Sequence, residues 1–222
     1  MFGVNLADGR IKAYDLNFMG QDKTFYVQCV RGNEAYGVNN FVDNGDETIS
    51  DTSTNLMWQK NDSESELAWD DAIDYCEDFN LASHTDWRLP NTKELQNIVD
   101  YSKSPDTSLS AAIDTEYFNA TQISNEAAQD DYGFYWTGTT HENMTNGSAA
   151  AYVSFGRSLG YLDEKWTDVH GAGAQRSDPK NMDILGEDYL TITDDNGNTA
   201  IVHGPQGDII RGVNFARCVR NI

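Results

Sequence analysis

The stretch that most constrains this chain runs from Trp69 to Val99. It reads as a short acidic helix, a Trp87-Arg88-Leu89-Pro90 corner and a second helix. Trp69, Ala72, Ile73, Cys76 and Phe79 recur at helical period and form one apolar stripe. Asp70, Asp71, Asp74, Glu77 and Asp78 occupy the opposite face, which is therefore solvated, and their use as catalytic acids is not expected. Ser63 with Glu66, and Asn91 with Glu94, have the spacing of capping boxes. Leu95, Ile98 and Val99 supply the buried face of the second helix. The remaining elements are then strands and loops hung on this helix pair, an α+β arrangement of two helices packed on a twisted antiparallel sheet.

Charge restricts the partners. Among 222 residues, 36 Asp and Glu against 15 Lys and Arg give a net charge of -21. Such a surface repels nucleic acid, anionic membranes and sulfated polysaccharides, and favours cations, basic proteins or neutral ligands. High solubility in a salty habitat is the plainer explanation. No apolar run approaches the length of a membrane-spanning helix, and the first residues are not expected to be a signal peptide.

A hairpin is expected from Phe2–Leu6 and Ile11–Leu16 about an Asp8-Gly9 turn, then a strand over Thr24–Arg31. That strand and the C-terminal Asn214–Arg220 both contain aromatics and end in Cys-Val-Arg, an internal repeat of a domain's last strand. The expected organisation is thus 1–40 as the tail of a preceding tandem copy plus linker, in a fragment of something longer, and 41–222 as a complete domain. Asp43, Asp46 and Asp51 surround a glycine turn and would suit calcium, a hard cation; an Asx-type hairpin turn is the alternative. Asn55–Gln59, Tyr132–Thr140 and Ala149–Phe155 read as strands, with Gly156–Trp166 returning beside the last, and 102–133 as a long loop.

Residues 167–212 form a long Gly-rich loop system with a hairpin of Tyr189–Thr193 and Thr199–His203. It carries the best candidate ligand-binding residues: His170, Arg176, Asp178, His203 and Gln206, with His141 nearby and Trp136, Tyr161 and Trp166 as stacking faces. The alternative is that these polar groups pin the loop to its scaffold. His141 is not part of a His-Glu-x-x-His zinc site, and no nucleophile elbow or phosphate loop is present, so a non-enzymatic role is expected. Three cysteines lack metal-site spacing. A Cys76–Cys218 disulfide would tie the first helix to the closing strand, leaving Cys29 free; three reduced cysteines in a cytosolic protein are the alternative.

Leu56-Met57-Trp58-Gln59, Trp69 with Ala72 and Cys76, Asp86–Asn91, Glu94-Leu95, Tyr135-Trp136-Thr137 and Arg217–Arg220 together resemble the Lcl C-terminal domain family, a domain of unknown function in bacterial surface and periplasmic proteins. The resemblance runs from about residue 41 to the C-terminus. It implies a C-type-lectin-like fold with a helix cysteine paired to one in the last strand, and an extracellular, cell-surface or periplasmic location. The Glu-Pro-Asn, Gln-Pro-Asp and Trp-Asn-Asp signatures of sugar-coordinating C-type lectins are absent. Three functions follow as expectations. The first is a recognition or adhesion domain binding a glycan or protein through the long loops. The second is a structural, calcium-rigidified repeat module. The third is an enzyme similar to formylglycine-generating enzymes, whose pair of active-site cysteines this chain does not offer.

Overall fold

The computed structural model describes residues 1–6, 9–18, 20–142 and 146–222. The chain opens with β1 (Phe2–Val4) and β2 (Ile11–Ala13), then a small hairpin of β3 (Asn17–Phe18) and β4 (Gln21–Asp22). A meander of β5 (Phe41–Asp43), β6 (Thr48–Asp51) and β7 (Leu56–Gln59) leads to α1 (Trp69–Glu77) and α2 (Thr92–Asn97). Next come β8 (Gln122–Ser124), β9 (Asp130–Tyr132), β10 (Phe134–His141) and β11 (Ala149–Ser154). The pair β12 (Leu159–Leu162) and β13 (Lys165–Asp168) precedes β14 (Gln175–Pro179). β15 (Tyr189–Thr193), β16 (Thr199–His203), β17 (Asp208–Ile210) and β18 (Val219–Asn221) complete the chain.

Among the described residues the eighteen strands hold 70 residues and the two helices 15. The α+β expectation, two helices packed on one sheet, is therefore corrected, and the C-type-lectin-like description that came with it is set aside. One five-stranded sheet runs β1-β2-β14-β11-β10, a second β13-β12-β17-β16-β15, and a four-stranded sheet β18-β7-β6-β5. The apolar stripe on α1 is real, with Ala72 and Cys76 fully buried. However, α1 starts only after an uncapped Ala68. The Ser63 hydroxyl donates instead to Ser65 O, so the first capping box does not form. A helix this rich in Asp has little intrinsic propensity to extend. The second box does form: the Asn91 side chain accepts from the Lys93 and Glu94 amides, and Glu94 accepts from the Asn91 amide. Glu94 also takes both Arg88 guanidinium nitrogens at 2.7 and 2.8 Å, which locks the corner onto α2.

β10 explains the shape of the interior. Its alternate residues face opposite ways, and both sides are buried. Tyr135 joins a cluster with Trp58, Leu95, Phe118 and Phe155, whereas Phe134 and Trp136 join one with Cys76, Trp87, Tyr152 and Ile209. One strand thus separates two cores.

Other expectations change. Thr24–Arg31 forms no strand, and Tyr26, Val27 and Val30 are exposed. Cys29 is exposed and in no disulfide. The partners of β11 are β10 and β14, not Gly156–Trp166, which instead folds as the β12–β13 hairpin. A β8–β9 hairpin forms within the expected 102–133 loop. The N-terminal hairpin is present, while Asp8 of its expected turn lies outside the described residues. The Cys76–Cys218 disulfide is present, between two fully buried residues.

Candidate functional site

The two five-stranded sheets meet at a cleft of about 310 Å3. Its components come from three parts of the chain. On β14, Arg176 and Asp178 are two residues apart and share a face. Tyr152 of β11 lies opposite Arg176 in register. In the second sheet, register places Tyr189, His203 and Asp208 in one row across β15, β16 and β17. The Tyr189 and His203 rings stack with centroids 4.3 Å apart. Arg10 comes from the N-terminal hairpin, whose β2 joins β14 through the Ile11–Gln175 pair. The turn before Asp208 must contain glycine: Gly207 has φ +60, and a Cβ there would lie 2.4 Å from Tyr161 O.

Asp208 ties the sheets together. It ion-pairs with Arg176 across the cleft, and its Oδ1 lies 2.9 Å from His170 Nε2. Burial raises the pKa of Asp208, but His170 and Arg176 outweigh that effect and hold it below the usual carboxylate value. Burial pushes His170 down despite the neighbouring carboxylate, favouring a neutral imidazole. Asp178 is fully buried, and loss of water raises its pKa to about 6 against the opposing pull of the Arg211 amide and guanidinium. His141 sits at the rim with Nδ1 2.7 Å from Ser177 Oγ.

Of the seven residues expected to bind ligand, His141, Arg176, Asp178 and His203 therefore line one cleft. His170 lies behind it, 1% exposed. Gln206 lies outside the lining and accepts from Lys12 Nζ at 3.1 Å. Trp136 is corrected: it is wholly buried, its indole donating to Leu67 O, so it offers no stacking face. Trp166 and Tyr161 pack on each other. Sequence reasoning missed Arg10, Tyr152, Tyr189 and Asp208. Register supplies Tyr189 and Asp208, since both lie opposite His203.

The three acidic residues of the expected calcium loop have separate partners. Asp43 accepts from Gly45 N and Lys60 Nζ, and Asp46 from Thr48 Oγ1. Asp51 is buried and accepts from Asn39, Asn40, Ser53 and Thr54. Among the described residues, no group of three or more His, Cys, Asp or Glu is placed to hold a metal ion. Among them, too, no helix is long and apolar enough to cross a membrane.

Asp178 gives the site a measurable pH signature. A carboxyl whose folded pKa is raised adds stability below its unfolded value, near 3.8, and that stability is lost as pH rises through the folded value, about 6. The Asp178→Asn variant is therefore expected to gain on the parent in thermal melts as pH increases across this window. The change in the difference is on the order of 2–3 kcal/mol. A difference between the two proteins that does not vary with pH would exclude ionisation at this position.

A family model described as the Lcl C-terminal domain matches residues 47–171. No curated protein and no solved structure matches the chain.

Proposed function

This chain belongs to the Lcl C-terminal domain family, and we propose on that premise that it is a recognition domain whose cleft between the two sheets binds a neutral, hydroxyl-rich glycan end. The observation that carries the reading is the convergence of planar polar groups and a stacked ring pair in one concavity. Hydroxyls require paired donors and acceptors, which Arg176, Asp208 and His203 supply. The Tyr189–His203 pair offers a rigid face for the apolar side of a sugar ring. The volume, about 310 Å3, lies at the lower end of small-molecule sites and suits one or two sugar units rather than a protein surface. Charge is balanced within the cleft, with Arg10 and Arg176 against Asp178 and Asp208, so neither an anionic nor a cationic sugar is required there.

Most of this lining lies outside the matched span. Arg10, Arg176, Asp178, Tyr189, His203 and Asp208 all fall beyond 47–171. Ligand choice, in this reading, rests on residues beyond the matched span. The buried disulfide fits an oxidising compartment, so the proposed location is extracellular or periplasmic.

A glycan-array screen of the full chain tests the reading. The same hits are expected in calcium and in chelator, because the cleft's contacts need no cation. Tyr189→Ala is expected to weaken a hit by about tenfold, the scale of one lost aromatic contact, with little change in melting temperature. Arg176→Ala is expected to abolish binding and also to lower stability, because it leaves the buried Asp208 carboxylate with His170 alone. A blank array, or hits indifferent to both substitutions, would reject the cleft as a glycan site.

A further inference from the structure

A second cleft, of about 440 Å3, adjoins the first and shares Ile209 and Ile210 with it. Their polar linings also touch: the Arg211 amide, in the second, donates to Asp178 Oδ2, in the first, at 3.4 Å. We propose that a glycan seated in the first cleft continues into the second, where Glu66 receives a free amino group, so that the ligand class is an oligosaccharide containing unacetylated amino sugars. This rests on the glycan reading of the first cleft and goes further by naming the sugar chemistry.

Arg211 is held by Glu126, with Nε at 2.9 Å and Nη2 at 3.0 Å, and its guanidinium lies 4.1 Å over the Phe134 ring. That pair neutralises itself. Glu66 shares the field of Arg211 with Glu126, but among the described residues its own carboxylate is in no ion pair within 4 Å and takes no hydrogen bond, so two carboxylates face one guanidinium. The second cleft thus carries one uncompensated negative charge beside apolar walls from Ile201 and Val213, with the Ser124 and Thr199 hydroxyls at hand. A neutral hydroxyl would leave that charge unbalanced, and an anionic sugar would be repelled. An ammonium on a sugar ring matches both the charge and the apolar wall. The net charge of -21 acts in the same direction at long range, drawing in a cationic polymer while excluding sulfated ones.

The test uses the full chain at low salt and about pH 6, with a glucosamine tetramer and its fully N-acetylated counterpart as probes in calorimetry. The glucosamine tetramer is expected to bind the parent at least about tenfold tighter than the acetylated one. In Glu66→Gln that advantage is expected to shrink to within about twofold while the acetylated tetramer binds as before. Glu66 is exposed, so an unchanged melting temperature verifies that this variant is folded. Equal binding of the two tetramers by the parent overturns the amino-sugar assignment and leaves the glycan reading intact. An advantage that persists in Glu66→Gln also overturns it, since net charge alone then accounts for the preference. If neither tetramer binds and the array is blank, both readings fall.

Discussion

Replacing Arg217 with methionine is expected to lower stability by about 3–5 kcal/mol, enough to leave the chain marginal at room temperature. Arg217 is wholly buried. Its Nη1 donates to the carbonyls of Gln59, Lys60 and Asn61, and its Nη2 donates to Asn119 O at 2.6 Å. The guanidinium also lies over Phe118 and Tyr135, at 5.2 and 5.7 Å from their ring centroids. The nearby Asp62 accepts from the Tyr135 hydroxyl and from Thr121, and the positive charge of Arg217 helps hold its pKa low against the opposing effect of burial. One side chain therefore closes the turn after β7, anchors the 119–121 segment and balances a buried carboxylate. Methionine fills much of the volume but takes the guanidinium from all four carbonyls at once, leaving Lys60 O only the Asn119 amide, and removes the counter-charge of Asp62; buried acceptors that lose their donors are the costly case. Arg217→Lys should recover only part of the loss, because an ammonium has three donors and no planar fork. Thermal melts decide it: at about 2–4 °C per kcal/mol for a chain this size, the expected drop for methionine is on the order of 10 °C. A melting temperature within about 2 °C of the parent would show that this network carries no net stability.

Arg217 also illustrates what was legible. Its position beside Cys218 was visible as part of a pattern, but no periodicity marks a fully buried arginine, since charged residues are almost never expected there. Local signals fared well where the chemistry is local. The Asn91–Glu94 box and the Tyr189–His203 hairpin both form, because each depends on a few adjacent residues. Judgements of exposure failed where two faces were covered. Phe134-Tyr135-Trp136 reads as an aromatic strand with a free face, yet β10 has a core on either side, so Trp136 is buried. The Thr24–Arg31 segment has strand composition but no neighbouring strand to pair with, and composition alone does not supply a ladder. In the candidate site, four of the polar residues singled out, from the Gly-rich loops and β10, line one cleft. Arg10 did not figure because its approach depends on one β2–β14 pairing across more than 160 residues of sequence, which no motif encodes.

Removing the Cys76–Cys218 disulfide should cost a similar amount for a different reason. The two half-cystines are 142 residues apart, and for a loop of that length the chain-entropy account gives about 5 kcal/mol. The native contacts around it explain why the effect resides in the unfolded chain. Cys218 is held without the bond: its amide donates to Gln59 Oε1, and its carbonyl accepts from Gln59 N. Val219 exchanges two hydrogen bonds with Arg88 at the corner, each 2.9 Å, and pairs with Trp58 of β7. The strand would therefore stay in place after reduction, and what is lost is the restriction on the denatured ensemble. Two outcomes follow. Because both cysteines are fully buried, reductant alone should act slowly on the native protein and rapidly once denaturant is added. The Cys76→Ala/Cys218→Ala variant should melt about 10–20 °C lower yet, at low temperature, bind any ligand of the cleft with unchanged affinity, since neither cysteine lines it. Binding lost while the fold persists would mean that the disulfide shapes the cleft directly. A melting temperature unmoved by the double substitution would mean that the denatured chain is already compact enough for closing this loop to cost nothing.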